Sequence, residues 1–123
     1  MELNALTALS PLDGRYRNQL QQLGEYFSEY ALIKYRIRVE TDYFLFLAEK
    51  KFFTISAATR KQLESVAENF SLEDAQEIKK IEKTTNHDVK AVEYFLKSRL
   101  ERGKDAESSE WVHFGLTSQD INN

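Results

Sequence analysis

The chain has no cysteine, one proline and four glycines among its 123 residues. Without cysteine there is no disulfide framework, no zinc–thiolate or iron–sulfur site and no cysteine nucleophile. The absence also suits a reducing compartment. So few turn-forming residues exclude a many-stranded sandwich or barrel. There is no basic surplus: 20 acidic against 17 basic side chains leave a net charge of −3, which argues against generic nucleic-acid binding. No apolar run is long. The longest, residues 43–48, falls far short of the roughly 20 residues that span a bilayer. The first ten residues hold no Lys or Arg and no apolar stretch, so no secretory signal is read and the cytoplasm is the default expectation.

What is present is a balance of 41% hydrophobic and 30% charged residues, typical of a folded globular chain. The length suits a single domain, 1–123, that buries roughly two-thirds of its unfolded surface. The periodicity predicts an all-α fold, one long helix with shorter helices packed around it. Ser10 with Pro11 reads as a helix start ahead of Tyr16, Leu20, Leu23 and Phe27, with Gly24 weakening the last turn. The long helix is expected over residues 28–51, a rod of roughly 30–35 Å. Its buried stripe is expected to be Leu32, Tyr35, Val39, Tyr43, Phe46 and Leu47, with Lys34, Arg36, Arg38, Glu40 and Asp42 mostly on other faces. Ser56 caps a third helix, and Ser71 with Asp74 resembles a capping box for a fourth. Asp88 is the expected cap of a fifth that ends near Gly103, and Thr117 opens a further helix. A capped start followed at once by the last residue, Asn123, leads to the expectation that the chain is part of a longer polypeptide.

Three polar clusters interrupt the periodicity: residues 13–16, residues 84–88, and His113 with residues 117–120. Each precedes a predicted helix, where free N–H groups and the dipole favour anions. Arg15 adds a bidentate guanidinium, and the hydroxyls and Asn86 add neutral donors. The residues therefore describe an anion site assembled from three loops. The alternative is that such clusters are ordinary caps and turns. His87 lies outside any apolar stripe, whereas His113 lies within one and reads as a packed, hydrogen-bonded histidine. His87, Asp88 and His113 lack metal-site spacing, and there is neither a nucleophile elbow nor a glycine-rich phosphate loop.

Ser10-Pro11-Leu12-Asp13-Gly14-Arg15-Tyr16, the block from Lys83 to Leu96 containing Thr-Thr-Asn-His-Asp, and His113-Phe114-Gly115-Leu116-Thr117-Ser118-Gln119-Asp120 running on to Asn123 resemble, in order, three signature segments of the adenylosuccinate lyase family. The second favours this family over the related fumarases, aspartases and argininosuccinate lyases. The resemblance implies the N-terminal helical domain of a fumarase/aspartase-type lyase. Such enzymes are homotetramers whose active sites are shared between subunits and which use no metal or organic cofactor. It implies elimination of fumarate from adenylosuccinate, giving AMP, and from the succinyl-carboxamide ribotide of purine biosynthesis. By resemblance, Arg15 and Tyr16 bind the nucleotide end of the substrate. Asn86, His87 and Asp88 form a second binding segment, with His87 assisting catalysis, and Thr117 and Ser118 bind the succinyl part. The family's catalytic serine loop and its other catalytic histidine have no counterpart in these residues, so the 123 residues alone are expected to be inactive. A free-standing helical module that binds a nucleotide or dicarboxylate without chemistry is the alternative. The implied partners are small molecules, with no nucleic acid and no membrane.

Overall fold

The computed structural model describes residues 1–123, and all its regular structure is helical. It forms two compact units, Met1–Leu32 and Ile33–Asn123.

The first unit is built from turns, not from the helix its apolar spacing predicts. The Ser10 carbonyl accepts from the N–H groups of Asp13 and Gly14 and closes a tight turn. A Cβ at Gly14 would lie 2.9 Å from Ala8 Cβ and 3.0 Å from the Ala5 carbonyl oxygen, so this turn tolerates only glycine there. Two 3₁₀ turns, Arg17–Gln19 and Gln21–Leu23, then lead into a four-residue helix, α1 (Gly24–Phe27). None of the three buries a residue, and Phe27 is 84% exposed. A short helix without a packed face does not recover its nucleation cost, and Gly24 weakens it further.

The long helix α2 (Glu29–Glu49) begins within the first unit and continues into the second. After it come α3 (Ala57–Glu68), α4 (Leu72–Thr85), α5 (Asp88–Glu101), a 3₁₀ turn at Ala106–Trp111, and α6 (Ser118–Asn122). Ser56 caps α3 by accepting from the Thr59 N–H. Ser71 and Asp74 form the reciprocal capping box of α4, as their spacing predicts. The α5 cap departs from expectation: it is His87, whose side chain accepts from the Lys90 N–H, while Asp88 is the first helical residue. The core of this unit holds Ile37, Phe44, Leu63, Ile78, Val92, Phe95, Leu96 and Leu100. Phe53 stacks on Trp111 at 5.1 Å between ring centroids and tilts against Phe44 at 4.8 Å. Arg99 lies over the Phe95 ring and reaches Asp74 and Glu77 at 3.2 and 3.0 Å, joining α5 to α4.

The buried face of α2 is the reverse of the expected one. Of the predicted stripe only Leu47 is buried; Leu32, Tyr35, Val39 and Phe46 are each more than 40% exposed, and Tyr43 is half-buried. The inward face carries Ile33, Ile37, Phe44 and Leu47 together with Arg36, Glu40 and Thr41. Both sets of apolar residues fall at helical spacing. Burial selected the set containing charges because those charges find partners at the far end of the chain.

Asp105 ties the start of α3 to the segment after α5. One carboxylate oxygen accepts from the Ser56 N–H at 3.0 Å, the Ser56 hydroxyl at 2.9 Å and the Thr59 hydroxyl. The bond from Thr59 leads these interactions in holding the carboxyl below the usual carboxylate range. A group lowered in the folded state contributes its full stability above its unfolded value, near 3.9, and loses it as pH falls through the lowered native value. Denaturant titrations of the wild type and Asp105→Asn should therefore show the wild type more stable at neutral pH. The difference should shrink as the pH is taken through and below the ordinary carboxylate range, whereas a pH-independent gap would contradict this account.

Candidate functional site

Of the residues the sequence singles out, the structure brings His87 and Ser118 together across 31 positions of chain. The His87 Nε2 lies 3.4 Å from the Ser118 Oγ. Their alignment follows from two helix starts. α4 ends at Asn86, which adopts the left-handed conformation (φ 53°), a geometry that asparagine tolerates better than most side chains. The chain turns there at once into α5. The Thr85 hydroxyl donates to the His87 carbonyl at 3.0 Å and accepts from the His87 N–H at 3.2 Å, which fixes the reversal.

The caps determine the chemistry of His87. Its Nδ1 accepts from the Lys90 N–H at 3.1 Å, so that nitrogen is unprotonated and neutral His87 carries its proton on Nε2. That N–H points at the Ser118 hydroxyl, whose own proton remains available to a ligand. Asp88 Oδ1 accepts from the Val89 N–H at 2.8 Å, and Asp88 Oδ2 pairs with Arg36 at 2.9 Å. Partial burial pushes the Asp88 carboxyl up. The Val89 N–H and the Arg36 guanidinium outweigh it and hold the group below the ordinary carboxylate range. The first N–H groups of α5 are thus already satisfied by Asp88 and His87. These donors are therefore not free for an anion, contrary to what the sequence pattern suggests for a helix start, and the groups left free here are side chains.

The third cluster is ordered in the same way. Thr117 donates to the Asp120 carboxylate from its N–H at 2.8 Å and its hydroxyl at 3.0 Å, and these bonds hold Asp120 below its usual range. The Thr117 oxygen is left as an acceptor, while Ser118 keeps a donor. Asn86, exposed at the end of α4, immediately precedes His87. Arg15 and Tyr16 belong to the first unit, where the exposed guanidinium lies 5.4 Å from the Tyr16 ring centroid. Arg17, not Arg15, takes the nearby Asp13 carboxylate, at 3.3 Å.

Two buried charges escape the sequence reading. Arg36 bonds Asn122 Oδ1 through Nε at 3.0 Å as well as Asp88, and Glu40, fully buried, meets His113 Nδ1. The available signal was the i, i+4 pairing of Arg36 and Glu40 within the row Ile33, Ile37, Phe44. His113 is the packed, hydrogen-bonded histidine its apolar surroundings predict. No group of three or more His, Asp or Glu side chains is arranged to hold a metal ion.

His87 caps α5 and is also the candidate site residue, and substitution separates the cap from any other role. Asparagine caps well, so His87→Asn should unfold within a few tenths of a kcal/mol of wild type, whereas His87→Ala should lose about 1 kcal/mol. Thermal or denaturant unfolding checks both, and equal stabilities would show that the cap contributes nothing.

A family model described as a lyase matches residues 14–123. All of the chain aligns with the adenylosuccinate lyase of Dictyostelium discoideum at 52% identity, covering 28% of that protein. It aligns likewise with the adenylosuccinate lyases of Haemophilus influenzae and Escherichia coli K12 at 46% and 47%, again over 28% of their lengths. The chain therefore spans little more than a quarter of these relatives. A match that takes in the Arg15 turn, the α4–α5 junction and the Thr117 start means that this chain belongs to the lyase family.

Proposed function

We propose that residues 1–123 form the amino-terminal, substrate-binding part of an adenylosuccinate lyase. Such an enzyme eliminates fumarate from adenylosuccinate to give AMP, and from the succinyl-carboxamide ribotide. The observation that carries the reading is the His87–Ser118 pair, 3.4 Å apart, joining two segments of a chain that aligns throughout with adenylosuccinate lyases. The reaction handles a phosphate and two carboxylates, and the chain offers donors suited to both. Arg15 supplies a guanidinium fork without a carboxylate partner, with Tyr16 beside it, for the nucleotide end. Ser118 suits the succinyl carboxylates through its hydroxyl proton, and Thr117, in the same binding segment, fixes that segment's start through its bonds to Asp120. Asn86 and His87 extend the donor row, and Asp88 holds its register through Arg36. His87, with its proton on Nε2, assists by donating through Ser118 or directly to the substrate.

The main acid and base belong to later segments of the polypeptide, and the complete enzyme is a cytoplasmic homotetramer with active sites shared between subunits. Within the chain, no helix is long and apolar enough to cross a membrane.

Purified residues 1–123 should release no fumarate from adenylosuccinate, while the full-length polypeptide should. In the full-length enzyme, Arg15→Met should raise KM about tenfold or more, as expected for loss of a charge-assisted bond. His87→Gln should lower kcat on the order of a hundredfold with a smaller change in KM. Steady-state kinetics on both variants decide the matter: near-normal constants in both would remove the assigned site.

A further inference from the structure

Glu40 is the most deeply buried charged side chain of the chain, at 0% exposure, midway along the inward face of α2. One carboxyl oxygen meets Nδ1 of His113, and the other has no hydrogen-bond partner. An ionisable group in such a place is costly unless its pairing is good. Burial pushes its carboxyl up, against the pull of His113, and the neighbouring Glu93 adds to the rise. The partner is itself constrained: His113 adopts the left-handed conformation at φ 62°, followed by Gly115 at φ 72°.

Two more bonds from the same helix hold the segment that follows. The Tyr43 hydroxyl donates to the Phe114 carbonyl at 2.8 Å, and Arg36 Nε donates to Asn122 Oδ1 at 3.0 Å. Residues 36, 40 and 43 recur at i, i+4 and i+7, so one face of α2 grips residues 113–122 at three points. Between the grips lies Ser118, whose Oγ faces His87.

We propose that Glu40 is a positioning residue: through His113 it holds the strained turn that sets Ser118 against His87, and so governs affinity for the dicarboxylate end of the substrate. The inference rests on the proposed function and names a residue that touches no substrate. A core residue that merely stabilised the fold would shift every ligand alike. A positioning residue for Ser118 shifts only the ligand that Ser118 binds.

The test measures fumarate and AMP binding to the full-length enzyme by calorimetry, in wild type, Glu40→Gln, Ser118→Ala and the double variant. Glu40→Gln should weaken fumarate about tenfold, the size of one misplaced hydrogen-bond donor, and leave AMP within about twofold. In the Ser118→Ala background, substitution of Glu40 should add almost nothing, because both changes remove the same contact. Equal weakening of both ligands, unchanged fumarate binding in Glu40→Gln, or full additivity in the double variant would each overturn the inference. A wild type that binds neither ligand would instead overturn the proposed function. Should Glu40→Gln lose its helical circular dichroism, Tyr43→Phe tests the same grip at the surface. It should weaken fumarate selectively by about two- to fivefold, and no selective effect would count against the proposal.

Discussion

A buried carboxyl group opposes folding unless it is paired, and in this chain one oxygen of Glu40 is paired with a histidine 73 residues away while the other has no partner. That single pairing orients much of the second unit. It turns the charged row of α2 inward, placing Arg36 and Thr41 in the interior beside Ile37 and Phe44. It also leaves Leu32, Tyr35, Val39 and Phe46 facing outward. The chain segment that arrives at α2 with His113 brings Thr117, Ser118 and Asn122 with it. An apolar residue at position 40 would avoid the desolvation cost on the order of several kcal/mol that a buried charge carries, but it would hold no turn in register.

The same economy of groups recurs at the α4–α5 junction. His87 is a helix cap, a tautomer-fixed donor and the neighbour of Ser118 at once. Asp88 satisfies a first-turn N–H and an arginine from α2. Because the caps absorb the helix's own donors, the polar groups left free at this junction are those of side chains. That arrangement allows selectivity by shape, since side-chain donors are placed individually while a bare helix terminus offers a diffuse field. In the first unit, the Gly14 turn presents Arg15 and Tyr16 from a backbone too tightly folded to admit a Cβ at position 14.

How far the residues alone disclose this can be judged element by element. Ser56, Ser71 with Asp74, and the Thr117 start were legible because a cap interacts with backbone three residues away and is written in local sequence. The long helix and its neighbours were legible from apolar spacing. The turn structure of residues 10–27 was not, because their spacing matches a helix that has no surface to bury. The assignment of Asp88 as the α5 cap failed for a related reason. Histidine is an uncommon cap, and only the bond from the Lys90 N–H reveals that it takes the position.

By itself, then, the amino-acid sequence determined the all-helical class, most helix boundaries, and the residue types able to hold anions, since these depend on contacts within a few residues of chain. Tertiary structure decided which of two apolar faces of α2 is buried, that His87 and Ser118 meet, and that Arg36 and Glu40 brace the segment between them. Those outcomes depend on pairings between residues 31 to 86 positions apart. Side-chain period sets where a group points along a helix, but only packing selects the partner it meets.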